Sequence, residues 1–205
     1  MTRIDEIANI IRDDERVIDI GCDSAKLGQL LARRNIRSIA SDLRQNVITT
    51  CINKIDPLIS RYIDFRVGNG FEVLHDDDNI TTAVLSGMGT HLMLNIIGNN
   101  KIKKIITISN NDYYYLRKEM VKKGYKISFE KIIKEKSKYY NLIVFVLGKS
   151  DYTYKDLYIG INHIDKMMLK EYATYKIHKL TSIISSVPDD RKIELIKEID
   201  MLKSC

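Results

Sequence analysis

The chain has 205 residues, 44% hydrophobic and 29% charged, which fits one folded domain with at most a small appendage and excludes a wholly disordered protein. Its apolar runs are too short to cross a bilayer, and four acids among the first fourteen residues argue against a signal peptide. Three widely spaced cysteines exclude a disulfide framework and a CxxC zinc site, so we expect a cytoplasmic protein with no membrane contact.

The net charge of +6 is concentrated in one segment. Residues 1–100 carry 11 basic and 14 acidic side chains, residues 101–150 carry 13 and 4, and residues 151–205 carry 9 of each. A basic segment favours a polyanionic partner such as nucleic acid, because each phosphate that is neutralised releases counterions. A solvated, lysine-rich surface is the alternative interpretation.

Short β-rich runs alternate with helical patterns up to about residue 147, which predicts βαβ units and a parallel sheet. Strands are predicted at residues 16–21, 38–42, 63–67, 82–86 and 104–109, followed by an antiparallel pair at 125–134 and 141–147. Helices are predicted at residues 25–35, 46–59, from about 90, and 114–123. Pro57 is expected to mark the frayed end of the second helix, and Gly124 to close the last.

Beyond residue 150 the pattern becomes helical throughout. Apolar residues recur there at three- and four-residue steps and are interrupted at Pro188, which predicts two antiparallel helices joined by a turn. We therefore predict an α/β domain over residues 1–150 and a coiled-coil-like α-helical hairpin over residues 151–205.

The ends of the first two predicted strands carry acidic residues. Ligands of a doubly wound sheet bind beyond the carboxyl ends of its strands. Asp19 and Gly21 end the first strand in a sequence that lacks the GxGxxG pattern, which argues against a dinucleotide pyrophosphate site. Asp42 ends the second strand, where it is placed to accept hydrogen bonds from a ribose diol or to cap the next helix.

Glycine-rich turns follow the next two strands. Gly68-Asn69-Gly70 follows the third, where the asparagine can bond the edge of an adenine, and Ser86-Gly87-Met88-Gly89 follows the fourth, where the backbone can approach a substrate closely. Each signal alone is typical of an ordinary turn. Their succession on four strand ends predicts a class I methyltransferase, that is, a Rossmann-like doubly wound sheet that binds S-adenosyl-L-methionine.

The sequence also resembles one family over essentially its whole length, the bacterial tRNA (adenine(22)-N(1))-methyltransferases of the TrmK type. The motifs that match are, in chain order, Asp19-Ile-Gly-Cys-Asp-Ser-Ala-Lys-Leu27, Arg66-Val-Gly-Asn-Gly-Phe71, Ser86-Gly-Met-Gly-Thr90, Ser109-Asn-Asn111 and Leu116-Arg117. Ser24, Lys26, Gly28 and Asn69 depart from the usual family residues, which are His, Tyr, Pro and Asp.

The resemblance implies transfer of a methyl group from S-adenosyl-L-methionine to N1 of adenine 22 in tRNA. For the oligomeric state we favour a monomer. Residues expected to bind the cofactor are Asp19, Gly21, Asp42, Leu43, Asn69, Gly70, Ser86 and Gly87. Residues expected to bind the substrate are Met88, Gly89, Lys26, Asn110 and Arg117. No metal is expected. The expected phosphate contacts are Lys101, Lys103, Lys104, Arg117, Lys118, Lys122 and Lys123.

Asp23 and Asn111 are the predicted catalytic residues. A carboxylate at Asp23 could stabilise the positive charge that develops on the adenine ring, and its alternative role is to cap the following helix. Asn111 is expected to contact the substrate, with an ordinary loop or cap as its alternative. Two other functions stay open at this point: a methyltransferase for another substrate, since a fold does not fix a substrate, and a cofactor- or tRNA-binding protein without turnover.

Overall fold

The computed structural model describes residues 2–205, and its centre is a seven-stranded sheet. The strands are β1 (Val17–Ile20), β2 (Ser38–Asp42), β3 (Ile63–Val67), β4 (Thr82–Ser86), β5 (Lys104–Ile108), β6 (Tyr125–Glu135) and β7 (Lys138–Leu147). They lie in the order β3-β2-β1-β4-β5-β7-β6, and in this sheet β7 runs antiparallel to the other six strands. The carboxyl ends of the first five strands therefore meet at one edge.

Helices cover both faces of the sheet. They are α1 (Arg3–Ile10), α2 (Lys26–Ala32), α3 (Gln45–Lys54), α4 (Pro57–Ser60), α5 (Thr90–Ile97), α6 (Tyr113–Lys122), α7 (Tyr154–Ile159), α8 (Lys166–Ile183) and α9 (Asp189–Lys203). Apolar side chains of α1, α2 and α3 pack on one face, and those of α5 and α6 pack on the other. None of the helices in residues 2–205 combines the length and the hydropathy needed to span a membrane.

The predicted strands are confirmed to within a few residues, whereas one predicted helix is wrong. Residues 46–59 do not form a single helix that frays at Pro57. α3 ends at Lys54, and Pro57 is the first residue of α4, whose N-cap Asp56 accepts a hydrogen bond from the N–H of Leu58 at 2.8 Å. Proline suits a first helical position, because the N–H that it lacks would have no partner there.

Two helices were not predicted, α1 and α7. Each begins with a capping box, Thr2 with Asp5 and Thr153 with Asp156. The acids that argued against a signal peptide in the first segment are thus partly the cap of an amphipathic helix.

The C-terminal helices α8 and α9 pack against each other, as the apolar spacing predicted. They do not hang free of the sheet. Ile132 of β6 forms a small apolar cluster with Ile159 and Leu169, and Glu130 of the same strand bridges to the backbone of His163. The division at residue 150 stays a prediction, and these contacts bind the two predicted units together.

Candidate active site

Two adjoining cavities open at the carboxyl edge of the sheet. The larger has a volume of about 460 Å³ and lies among the loops after β1, β2 and β4 and the start of α1. The smaller, about 180 Å³, lies between the loops after β2 and β3 and α5. Among the predicted site residues, the larger cavity is lined by Asp19, Gly21, Asp23, Lys26, Asp42, Ser86, Gly87 and Met88. The smaller cavity adds Leu43, Asn69 and Gly70, and shares Gly21, Asp42 and Met88 with the larger.

Two glycines keep the floor of the larger cavity open. Gly21 and Gly87 have φ angles of +76° and +78°, in the left-handed region that side chains disfavour. A Cβ atom on Gly21 would lie 3.1 Å from Cε of Met88, while one on Gly87 would project into open space. Both positions thus let a ligand approach the backbone.

Asp42 lies where the two cavities meet and is 7% exposed. Its Oδ1 accepts hydrogen bonds from the backbone N–H and Nε of Arg44, at 2.9 and 3.2 Å. No donor within residues 2–205 reaches Oδ2. α3 begins at Gln45 without a side-chain cap, so the capping role considered for Asp42 is wrong and one carboxylate oxygen is available to a ligand.

Two further carboxylates face the larger cavity, with opposite environments. Asp19 is buried, and this burial, together with the nearby charge of Asp23, raises the pKa of Asp19 to about 7. Asp23 is exposed, and its φ of +49° places it in the left-handed region. α2 has Ala25 as its N-cap and no side-chain cap, so the capping alternative for Asp23 is wrong. Its carboxylate accepts no hydrogen bond from the described residues.

The smaller cavity combines apolar walls with one amide. Leu43 and Leu92 line it although they are 69% and 53% exposed, and Ile96 completes the wall. Asn69 donates to Glu72 at 3.3 Å through Nδ2, which leaves its Oδ1 free of donors from residues 2–205. Exposed leucines around an amide oxygen suit a flat heterocycle with an exocyclic amine.

The loop after β5 holds the predicted asparagines against the loop after β4, and neither they nor Gly89 line the two cavities. Asn110 donates through Nδ2 to the carbonyl of Gly87 at 2.8 Å. Asn111 accepts the N–H of Thr90 at 3.0 Å, close to Gly89, and so satisfies the first turn of α5. The capping role is therefore present at Asn111, and its predicted contact with the substrate stays a prediction.

Arg117 was wrongly predicted to bind the substrate. Its side chain is fully buried and forms an ion pair with the buried Glu130, whose oxygens accept from Nε at 3.0 Å and from Nη2 at 2.5 Å. Nη1 donates to the carbonyls of Leu157 and Tyr158. Each guanidinium nitrogen is therefore engaged inside the protein, and none reaches the cavity.

The basic surface predicted from the sequence also needs correction. Lys104 is mostly buried and binds Glu15 at 2.9 Å, and Lys101 donates to the carbonyl of Lys123 at the far end of α6. Residues 101–103 precede β5 and Lys104 is its first residue, so all four residues lie at the amino edge of the sheet, opposite the cavities. A count of charges along the sequence does not show at which end of a strand a lysine lies. These lysines lie at the end of the sheet opposite the cavities.

Sequence reasoning missed several residues that line the cavities. Arg3 and Ile4 of α1 border the larger one, and Leu92 and Ile96 of α5 border the smaller one. The signal for α1 was available in the Thr2-x-x-Asp5 capping box followed by helical spacing of isoleucines.

The surroundings of Cys22 argue against a nucleophile, and those of the cluster of His75, Asp77 and Asp78 argue against a metal site. Burial raises the pKa of the Cys22 thiol, which disfavours a thiolate nucleophile. His75, Asp77 and Asp78 place ligand atoms within 4.8 Å of one another, but the Asp78 carboxylate is engaged by Arg66 at 2.6 Å.

The comparisons with known proteins agree with this geometry. No curated protein matches the sequence significantly. Among solved structures, a protein of the NADB-Rossmann superfamily from Streptococcus agalactiae has a TM-score of 0.90 at 25% identity, covering 100% of this chain and 96% of that one. TrmK of M. capricolum, solved with S-adenosyl-homocysteine, has a TM-score of 0.85 at 23% identity and covers 100% and 96%. The m1A22 tRNA methyltransferase TrmK of B. subtilis has a TM-score of 0.79 at 19% identity and covers 99% and 97%.

These likenesses extend over the C-terminal helices and confirm the predicted class I methyltransferase fold with its helical hairpin. The family described as a methyltransferase domain matches residues 1–143, which include every residue that lines the two cavities. The chain belongs to this methyltransferase-domain family.

Proposed function

We propose that this protein transfers a methyl group from S-adenosyl-L-methionine to N1 of adenine 22 in tRNA. The observation that carries the proposal is the pair of cavities joined at Asp42, in a chain that is alike from end to end to proteins named TrmK. The position of this protein in the cytoplasm and its action as a monomer belong to the same proposal.

The residues of the two cavities fit the proposed cofactor. The apolar walls of the smaller cavity, with Asn69, would hold the adenine, and the free Oδ2 of Asp42 would accept from the ribose hydroxyls. Asp19 would pair with the ammonium group of the methionine part, which favours the ionised form of this buried carboxyl. The bound cofactor supplies an electrophilic methyl group on a sulfonium centre.

The task of the chain is then mainly to position the substrate base. N1 of adenine is neutral near pH 7 and carries an in-plane lone pair, so no strong base is needed before it attacks. Alignment of the reacting atoms contributes up to about 7–11 kcal/mol in favourable cases. The Asp23 carboxylate lines the larger cavity and accepts no hydrogen bond within residues 2–205, so it would be free to stabilise the charge that develops on the ring.

The target base has to leave the folded core of the tRNA before its Watson–Crick edge becomes accessible. Such unstacking costs a few kcal/mol, which contacts between the RNA and the protein must offset. Asp23 and Lys26 line the larger cavity and are exposed, so a base could approach the cavity on their side.

The test is transfer of a labelled methyl group from S-adenosyl-L-methionine to unmodified tRNA, followed by mapping of the modified base. We expect label at N1 of adenine 22, and a tRNA with another base at that position serves as the control. Labelling of both tRNAs at a different position would refute the site of methylation. Cofactor binding without any transfer would favour the alternative of a binding protein without turnover.

A further inference from the structure

The hairpin formed by β6 and β7 projects beyond the carboxyl edge of the sheet. Ile108, the last residue of β5, pairs with Leu142, so residues 138–141 of β7 and 132–135 of β6 extend past the end of β5. Four residues of strand correspond to about 13 Å. The tip of the hairpin therefore stands on the same side of the molecule as the cavities.

On one side, this projection is fastened to α1. Arg3 binds Glu135 at 2.9 Å, its guanidinium lies 4.1 Å from the centre of the Tyr140 ring, and Lys131 binds Glu6 at 2.6 Å. Arg3 also lines the larger cavity. Arg3 thus links the hairpin to the wall of the cavity, and the two ion pairs hold the hairpin against α1.

On the other side, the projection meets α8 through an aromatic pair. The rings of Tyr139 and Tyr175 have their centres 4.9 Å apart, and Tyr175 is 42% exposed. Nζ of Lys134 lies 5.4 Å from the centre of the Tyr139 ring. Aromatic rings interleaved with lysines are the arrangement by which proteins hold unpaired nucleotides, since every base has a face that can stack.

The tip itself carries two exposed lysines. Lys136 and Lys138 form no ion pair within the part of the chain that the structure describes. By contrast, Lys131 and Lys134 next to them are paired with glutamates. The unpaired cations are therefore the two nearest the turn, where they can meet phosphates without first breaking a bond inside the protein.

We propose that the tip of the β6–β7 hairpin and Tyr175 form a contact surface for the RNA substrate. Phosphates bind Lys136 and Lys138, and an unstacked base or its ribose lies against the Tyr139–Tyr175 pair. This inference rests on the proposed function, and it places the contact surface for the RNA beside the cavity rather than on the lysines at the amino edge.

The test compares two double charge reversals. The variant K136E/K138E changes the tip, and K103E/K149E changes two exposed lysines at the amino edge by the same total charge. Binding of tRNA is measured over a series of salt concentrations, cofactor binding by calorimetry and methyl transfer with labelled cofactor. We expect the tip variant to lose about tenfold or more in tRNA affinity and about two units of salt slope, with unchanged cofactor affinity.

Tyr175 provides a second arm that does not change charge. We expect Tyr175→Ala to weaken tRNA binding at least about fivefold and Tyr175→Phe to retain it, because stacking needs the ring and not the hydroxyl. If the tip variant binds and methylates tRNA as the amino-edge variant does, the inference is wrong while the proposed function stands. If the wild-type protein binds tRNA through these residues without methylating it, the proposed function fails and the contact surface stands. If the wild-type protein does not bind tRNA, both fail.

Discussion

At the scale of single residues, the informative groups are three carboxylates that share one cavity but differ in what surrounds them. Asp42 is held by Arg44, Asp19 is buried without a donor among the described residues, and Asp23 is exposed. The buried Asp19 lowers the stability of the free protein, because burial disfavours the charged form of its carboxyl group. A ligand ammonium would remove that cost, so the proposed role of Asp19 in cofactor binding would come at the expense of the stability of the free protein.

We predict a pH-dependent effect of Asp19→Asn. The pKa of Asp19 rises from 3.8 to about 7 on folding, so its protonated form contributes stability below about pH 4 that is lost as the pH rises to about 7. The variant avoids this loss. The free energy of unfolding without cofactor, measured at pH 5 and pH 8, should favour the variant more at pH 8, by up to a few kcal/mol.

Cofactor affinity should respond in the opposite sense. The wild-type protein should bind S-adenosyl-L-methionine more tightly as the pH rises through about 7, since only ionised Asp19 pairs with an ammonium group, and the variant should bind weakly with no such step. Equal stability gains at both pH values would show that folding does not raise the pKa of Asp19. An affinity of the variant equal to that of the wild type would show that Asp19 plays no part in binding.

Asp23→Asn tests the carboxylate that accepts no hydrogen bond from the described residues. Asparagine tolerates the left-handed backbone at this position, and no cap is lost, so we expect an unchanged melting temperature and cofactor affinity. Methyl transfer to tRNA should fall at least about tenfold in kcat, because the lost interaction grows with charge in the transition state. A parallel loss of stability would instead indicate a structural role.

At the scale of elements, what could be predicted depended on whether the signal was local. The five parallel strands are contiguous β-rich runs, and the rule that ligands bind at their carboxyl ends brought Asp42 and Asn69 together correctly. Pro57 was misread, because proline either precedes or interrupts a helix and the choice depends on Asp56. Arg117 was wrongly assigned to substrate binding, because its partner Glu130 lies on another element and no local sequence pattern indicates the pair.

The Arg117–Glu130 pair predicts a large effect of removing one partner. Arg117→Ala leaves the Glu130 carboxylate buried without its cation, which costs about 3–5 kcal/mol of stability. The double variant R117M/E130L should recover part of this loss, because it removes both charges and roughly keeps the volume, while the carbonyls of Leu157 and Tyr158 and the N–H of Ile161 lose their partners. Denaturant unfolding measures both, and an Arg117→Ala protein as stable as the wild type would contradict the role of the pair.

At the scale of the whole molecule, the C-terminal segment is part of the folded unit rather than a loose attachment. A Cβ atom on Gly160, whose φ is +96°, would lie 2.7 Å from Nη2 of Arg117 and from both carboxylate oxygens of Glu130. The N–H of Ile161 donates to the same carboxylate at 3.0 Å. The backbone after α7 therefore closes over an ion pair that the sheet and α6 bury only in part.

Truncation should therefore act through stability. A chain that ends at Leu147 loses the carbonyls of Leu157 and Tyr158 and the cover of Gly160, so water reaches the Arg117–Glu130 pair and the melting temperature should fall well below that of the full chain. A chain that ends at Asp165 keeps this junction and is the matched control, with a smaller loss from the missing contacts of Leu169.

Both folded chains should bind cofactor normally, since the residues that line the cavities all lie before residue 97. Both should methylate tRNA poorly, because each lacks Tyr175. If the chain ending at Leu147 has the same melting temperature as the full-length protein, the C-terminal segment is a separate unit, as the sequence alone suggested.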